Sequence, residues 1–207
     1  QALPPALKPL VPAAESPIQQ TLAHSVLLDQ PGDGRIWARG QNYKASFGVE
    51  GFTYVPFLGS DAPRAYPVAF TVGSMTVNGV PVAFNAAAVP SVQGMRVSFN
   101  RGAFTEVYDL APSGIEQSFI ITQPVSGELA FHVATATDLR PSAHGDRIEF
   151  ANERGMVNYS QAIAVDARQT RTTLDTRLTA GGISIKVPAA TVASAAWPLV
   201  VDPVIST

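Results

Sequence analysis

Residues 182–205, GISIKVPAATVASAAWPLVVDPVI, contain the strand pattern around which we expect the chain to be organised. Residues 183–187 alternate apolar with polar side chains, and a period of two is typical of a strand with one buried face. Residues 199–201 form a continuous apolar run, which favours a strand covered on both faces. Because proline lacks the N–H that a sheet ladder needs, Asp202-Pro203 is expected to end that strand. The stretch therefore predicts two strands joined by a small-residue turn, the second of which closes a domain.

The overall composition narrows the class of protein. The chain has 207 residues and a formal net charge of −2, and 14% of its residues are charged. That charged fraction lies well below the roughly 25% of ordinary soluble domains and favours a β-rich extracellular protein. A net negative charge offers no basic field for nucleic acid, and no apolar run is long enough for membrane insertion. The sequence has no cysteine, so disulfides, thiolate catalysis and zinc–thiolate sites are excluded.

The N-terminal region is rich in proline. Prolines at positions 4, 5, 9, 12 and 17 forbid a regular helix and favour an extended arm, with a disordered leader as the alternative. Ser16-Pro17 and Gln19 then form a helix-start pattern, which predicts a short helix ending near Leu28. An edge strand over TLAHSVLL is the alternative. Because the chain begins with Gln1 rather than methionine, we expect a secreted or cell-surface protein whose signal has been removed, or else a trimmed end.

After Arg35, short runs of β-forming residues alternate with turns that contain glycine or proline. Asn78-Gly79 between such runs predicts a hairpin with a type I′ turn, because both residues tolerate positive φ. We expect residues 141–146 to form a polar loop and residues 168–178 to form an exposed strand. About a dozen short antiparallel strands at a spacing of roughly 8–12 residues predict an all-β, β-sandwich-like fold.

The domain organisation follows from the same pattern. After the proline-rich arm, no change of composition requires a boundary. We therefore predict an arm over residues 1–17 and a single β-sandwich-like domain over residues 18–207. A division near residue 90, with the first part as a smaller subdomain, is the alternative.

The sequence contains no nucleophile elbow, no phosphate-binding glycine loop and no His-Glu-x-x-His motif. The turn at residues 29–34 is rich in aspartate and glycine, as calcium loops are. However, Pro31 and Gly40 occupy positions where a calcium loop needs oxygen ligands. We therefore predict no catalytic residue, no metal ligand and no cofactor.

Four carboxylates on neighbouring predicted strands would suit a hydrolase: Glu106, Asp109, Glu116 and Glu128. A glycosidase pair requires two of them to face each other across a cleft, with perturbed pKa values. Arginines at positions 96 and 101 are close in sequence, so solvated cross-strand ion pairs are the favoured interpretation.

Aromatic residues cluster in the first third of the chain. A sugar-binding platform needs exposed rings, and Trp37, Tyr43 and Tyr54 are the candidate binding residues on that basis. Core packing is the favoured alternative for the same rings, because large aromatic side chains dominate protein cores. An exposed row that includes Trp37 would indicate a glycan-binding module.

Four short sequence elements lie in a fixed order between residues 96 and 205. The elements are Tyr108, Gly114-Ile115-Glu116, Gly127-Glu128-Leu129 and Val201-Asp202-Pro203. This series resembles the N-terminal β-domain of large secreted bacterial proteins, in which such domains often precede repeats or sorting modules. The resemblance implies an extracellular, non-catalytic module that belongs to a longer chain, and it implies no active-site residues.

Three functions fit these patterns. The first is a non-catalytic structural or interaction domain of a secreted or cell-surface bacterial protein, whose partner is another protein or the remainder of its own precursor. The second is a carbohydrate-binding accessory module, and the third is a carboxylate-dependent hydrolase. The low charge, the many strands and the proline-rich arm favour the first. No nucleic-acid partner and no membrane insertion are expected.

Overall fold

The computed structural model describes residues 25–207, which form two antiparallel sheets packed face to face. Sheet A contains nine strands: β1 (Leu27–Asp29), β2 (Ile36–Arg39), β3 (Tyr43–Gly48), β4 (Gly51–Pro56), β5 (Val68–Val77), β6 (Val80–Pro81), β11 (Leu129–Thr137), β17 (Asp175–Thr179) and β18 (Gly182–Val187). They lie in the order β1-β2-β3-β4-β5-β11-β18-β17, and β6 pairs with the end of β5.

Sheet B contains eleven strands: β7 (Ser91–Gln93), β8 (Arg96–Asn100), β9 (Thr105–Ala111), β10 (Gly114–Ile121), β12 (Arg140–His144), β13 (Arg147–Asn152), β14 (Gly155–Ser160), β15 (Ile163–Val165), β16 (Arg171–Thr173), β19 (Leu199–Asp202) and β20 (Val204–Ser206). One short helix among the described residues, α1 (Ala189–Ser194), lies between β18 and β19. The two sheets confirm the predicted all-β, sandwich-like fold. The strands outnumber the expected dozen because several predicted runs break or change sheet.

Strand β10 is the centre of sheet B because it pairs along both edges. Strand β9 lies along one edge, and the end of the chain, β19 and β20, lies along the other. Pro203 separates β19 from β20, yet its carbonyl accepts a hydrogen bond from the backbone N–H of Gln117 (2.9 Å). Strand β19 ends at Asp202, as predicted, but a further strand, β20, pairs with β10 beyond Pro203. Proline removes one donor but keeps its acceptor, so the ladder resumes beyond it.

The core fills the space between the sheets with side chains from both. Phe119 of β10 stacks on Phe131 of β11 with ring centroids 4.5 Å apart. Phe52 of β4 packs 4.6 Å from Tyr108 of β9, and all four rings are buried. Because each pair joins one sheet to the other, these contacts set how the two layers pack.

The stretch at residues 182–205 spans both sheets. Strand β18 lies in sheet A between β11 and β17, whereas β19 lies in sheet B beside β10. The predicted small-residue turn is instead α1 followed by an extended segment that contains the cis peptide bond Trp197-Pro198. Alanine favours helix, and the longer connection lets the chain cross from one layer to the other.

Two surface expectations also differ from the structure. Residues 141–146, predicted as a polar loop, fall mostly in β12, whose five residues are all exposed. Strand β12 pairs only with β13, and an exposed edge strand does not need apolar side chains, so its composition is that of a loop. The exposed strand predicted over residues 168–178 is divided into β16 in sheet B and β17 in sheet A, around the buried Leu174.

The N-terminal expectations fall largely outside the described residues. The arm over residues 1–17 and most of the predicted helix lie there. Leu27–Asp29 form β1, which pairs with β2 at the edge of sheet A. The prediction of a helix up to Leu28 is therefore wrong at its last residues, which instead form the edge strand given as the alternative.

The hairpin predicted at Asn78-Gly79 is confirmed. Both residues have positive φ, 51° and 76°, and they join β5 to β6. The Asn78 side chain also accepts a hydrogen bond from the backbone N–H of Glu128 (2.9 Å) and donates one to the carbonyl of Ser126 (3.2 Å). Asparagine therefore serves both as the turn residue and as a link to the loop before β11.

Phe119→Ala should lower the free energy of unfolding by about 3–5 kcal/mol, because it removes a buried ring and leaves a cavity against Phe131. Val204→Ala is a control on the other face of the same sheet, since Val204 is 43% exposed, and it should cost less than about 1 kcal/mol. Urea unfolding followed by circular dichroism measures both values. Equal losses would contradict the faces assigned to the two side chains.

Candidate functional site

Glu106 lies in the core and forms a buried ion pair with Arg101, so the expectation of a solvated pair is wrong for these two residues. The two side chains are 1% and 2% exposed. The Arg101 guanidinium donates from Nε and Nη2 to Glu106 Oε2, at 3.0 and 2.7 Å. Its Nη1 donates to the carbonyls of Asn85 and Ala86. The pair is thus held by charge-assisted hydrogen bonds within the protein.

Three polar side chains from neighbouring strands complete this buried network. The Tyr108 hydroxyl donates to Glu106 Oε1 (2.5 Å), and Gln117 Nε2 donates to the same oxygen (3.2 Å). The Tyr159 hydroxyl donates to Gln117 Oε1 (2.8 Å). Burial, reinforced by the charge of Glu106, raises the pKa of Tyr108 and of Tyr159 well above the usual range. Both hydroxyls therefore remain protonated donors, and Glu106 is fully engaged in the interior.

The other three candidate carboxylates lie outside the core. Asp109 of β9 accepts two hydrogen bonds of 2.7 Å from Arg96. Glu116 of β10 lies opposite Asp109 in the strand register. Glu128 lies beside sheet A, 3.5 Å from Lys186. Of the four, only Asp109 and Glu116 lie opposite each other in the register, and ion pairs engage Glu106, Asp109 and Glu128.

A further carboxylate, Asp202, joins this group on the outer face of sheet B. The sequence marked it only as a strand end. Its Oδ1 is buried without a hydrogen-bond partner among residues 25–207. Burial, followed by a hydrogen bond with Glu116 and the charge of that residue, raises the pKa of Asp202 to about 7. Asp202 therefore keeps its proton in the folded chain up to about neutral pH.

The three candidate binding aromatics are divided between the two faces of sheet A. Tyr43 and Tyr54 face the core and stack with ring centroids 5.1 Å apart. Burial raises the pKa of Tyr43 far above its usual range and that of Tyr54 to about 12. Trp37 lies on the outer face, where its indole N–H donates to Asp33 (2.8 Å). The three rings do not form an exposed row, and core packing describes the two tyrosines.

One cross-strand row on the outer face of sheet A carries unpaired charge. The register places Leu27 beside Arg39, Arg39 beside Lys44, and Lys44 beside Val55. These four residues form the cationic row. Neither cation forms a side-chain hydrogen bond or an ion pair within the described part of the chain. Because like charges directly opposite one another destabilise a sheet, the fold itself gains nothing from this pair.

A cavity of about 450 Å³ opens over the cationic row. Arg39, Lys44 and Val55 line it from the sheet, and the loop between β4 and β5, residues 57–67, lines it from the side. Phe57 in this loop is 61% exposed. The volume and the mixed lining suit a small ligand or a few side chains of a partner.

Two ion pairs hold the 57–67 loop against the rest of the domain. Arg64 Nη1 lies 2.7 Å from Asp138 Oδ2, and Asp61 Oδ2 lies 3.1 Å from Arg154 Nη1. The loop is therefore positioned before any ligand arrives. Since Asp138 pairs with Arg64, Arg39 and Lys44 are the cations of the cavity that form no ion pair within the described residues.

A second depression of about 420 Å³ lies on the other side of the cationic row. It shares Arg39 and Lys44 with the first cavity and adds Leu27 and Trp37. Asp33 also lines this depression, and its hydrogen bond from Trp37 lowers its pKa. Asp29 lines it too, so the second depression contains two carboxylates and two cations, whereas the first cavity is lined by cations and no carboxylate.

Other site types have little support in residues 25–207. No group of three or more histidine, aspartate or glutamate side chains in that range is placed to hold a metal ion. No helix in the same range is long and apolar enough to cross a bilayer. The exposed His144 lies 3.1 Å from the largely buried Glu149 on the β12–β13 hairpin, which is a cross-strand contact.

Comparison with known proteins adds no relative. No protein-family model matches the chain, and neither curated proteins nor solved structures gave a match. Function is therefore inferred from the chain's own geometry.

Glu106→Gln should lower the free energy of unfolding by about 3–5 kcal/mol, because it leaves the buried Arg101 charge uncompensated. Asp109→Asn is the matched control, since it weakens an ion pair at the surface and should cost less than about 1 kcal/mol. Chemical denaturation measures both values. Small and equal losses would contradict the structural role of the network.

Stability should fall as the pH rises through the window set by Asp202. The unfolded chain loses this proton near the ordinary value of 3.8, whereas the folded chain keeps it until about 7. Ionisation of Asp202 therefore favours the unfolded state between these two pKa values. The stability contributed by the protonated side chain is fully lost above the pKa of the folded chain. Asp202→Asn should gain stability relative to wild type over the same window, on the order of 1 kcal/mol after allowance for solvent.

Thermal melts of Asp202→Asn and wild type at several pH values from about 4 to about 8 test this linkage. Asp175→Asn, at an exposed position on β17, is the control for introducing an amide at the surface. A difference between Asp202→Asn and wild type that stays constant with pH would show that Asp202 does not hold its proton.

Proposed function

We propose that this chain is a non-catalytic interaction domain of a secreted or cell-surface bacterial protein. It binds a protein partner, or the remainder of its own precursor, through the outer face of sheet A. The observation that carries the proposal is the adjacent Arg39–Lys44 pair, neither of which forms an ion pair in residues 25–207, beside a preformed cavity. A like-charge pair costs stability in the free domain, and an acidic partner would convert that cost into attraction.

Exposed apolar side chains on both sides of this pair support the proposal. Leu27 is 49% exposed and Phe57 is 61% exposed. Exposed apolar groups bordered by charge are typical of protein interaction surfaces, and aromatic residues and arginine are enriched there. The two alternatives have less support. A glycan module would need a row of exposed rings, and only Trp37 of the three candidates lies outside the core.

Site-specific photo-crosslinking in the native source tests the proposal. A photoreactive amino acid replaces Ala65, an exposed residue that lines the cavity. The matched control carries it at Val80, which is 65% exposed and lies on β6, beside the far end of β5. We expect one discrete cross-linked product from position 65 and none from position 80.

Native mass measurement of the same preparations gives the stoichiometry. A fixed ratio of this chain to a second polypeptide would support an interaction domain. A chain that runs as a monomer, with no cross-link at position 65, would contradict the proposed function.

A further inference from the structure

We propose that the cationic row binds a short, extended acidic segment of the partner polypeptide, in which two carboxylates are flanked by apolar side chains. This inference rests on the proposed function and adds the chemistry of the ligand. It follows from the order of side chains across four adjacent strands of sheet A: Leu27, Arg39, Lys44 and Val55.

The dimensions of the row match a segment of a few residues. Four neighbouring strands are separated by three spacings of about 4.8 Å, so the row extends over roughly 14 Å. An extended peptide advances about 3.3 Å per residue, and every second side chain faces the same way. Alternate side chains of an extended segment are therefore about 6.6 Å apart, so two carboxylates lie within reach of the long side chains of Arg39 and Lys44. The flanking apolar side chains, about 20 Å apart, then extend slightly beyond both ends of the row.

Arg39 and Lys44 are the cations left free on this part of the surface. Arg35 pairs with Glu50, and Arg64 pairs with Asp138. Arg39 and Lys44 form no such contact within residues 25–207. Carboxylates of a partner would complete charge-assisted hydrogen bonds that this domain leaves unmade.

The apolar ends of the row favour a peptide over an acidic glycan. Leu27 lies at one end, while Val55 and the largely exposed Phe57 lie at the other. Pro56 and Leu58 extend the apolar lining of the cavity. A uronic acid chain would satisfy the two cations, but it carries no apolar side chain to bury against Leu27, Val55 and Phe57. Side chains such as leucine fill the same space favourably.

The chain's own N-terminal residues are a poor match for this surface. Residues 1–24 contain one lysine, Lys8, and one glutamate, Glu15. They offer no net negative charge to the cationic row. Charge complementarity therefore favours a segment from elsewhere in the precursor or from another protein.

Fluorescence anisotropy with a labelled heptapeptide tests the inference on the full chain. The probe has the sequence Leu-Ser-Asp-Ser-Asp-Ser-Leu, so its leucines and aspartates all face the same way when the peptide is extended. One comparison peptide replaces both aspartates with asparagine, and another replaces both leucines with serine. We expect each comparison peptide to bind about tenfold more weakly or worse, and binding of the parent peptide to weaken as salt is added.

Two sets of variants locate the binding site. Lys44→Glu should abolish binding of the acidic peptide. The Tm of this variant should equal or exceed that of wild type, because the substitution places a carboxylate opposite Arg39 in the sheet. The double variant Arg39→Gln with Lys44→Gln should weaken binding by about tenfold or more. Its matched control, Arg177→Gln with Lys186→Gln, removes two exposed cations from β17 and β18 of the same sheet and should bind as wild type does.

Three results would overturn the inference. One is equal binding of the parent and asparagine peptides. Another is tighter binding of an oligogalacturonate than of the peptide, which would assign the row to an acidic glycan. The third is an unchanged cross-link at position 65 in the Lys44→Glu chain, which would leave the proposed function intact and reject only this ligand. A wild-type chain without a cross-linked partner would instead reject the proposed function.

Discussion

The buried ion pair between Arg101 and Glu106 is the constraint on which the interior of sheet B depends. Charges removed from water are tolerated only when their hydrogen-bonding groups are satisfied. Here the partners come from the loop carbonyls at residues 85–86 and from hydroxyl and amide groups on β9, β10 and β14. A shift of any of these strands by one residue would turn a network side chain to the outer face. The network therefore selects the strand register as well as stabilising it.

The outer face of sheet A shows the opposite arrangement of charge. In the interior each charged group has a partner, whereas Arg39 and Lys44 lie side by side without one in the described residues. Water screens this repulsion, so the cost to the fold is small. An acidic partner that displaces this water would strengthen the attraction between its carboxylates and the two cations. The contrast separates charge that stabilises the fold from charge that remains available for binding.

The candidate site could be predicted only in part, because side-chain partners depend on tertiary structure. Arg39 and Lys44 flank a hairpin turn, so their pairing follows from local sequence. That they lack acidic partners does not, because Glu50 and Asp138 are drawn to other arginines by the fold. The division of Trp37 from the two tyrosines is also local, since residues 37 and 43 lie on strands whose faces alternate.

The sequence by itself determined that this is an all-β protein with a type I′ turn at Asn78-Gly79, because side-chain alternation and turn chemistry act over a few residues. Only the tertiary structure decided which sheet each strand joins. Strands β18 and β19 are close in sequence but lie in different layers, and β12 has the composition of a loop. Strand partners are chosen by long-range packing and backbone pairing, which no local pattern records. For the same reason, the sequence indicated strands but not the face on which the unpaired charge would lie.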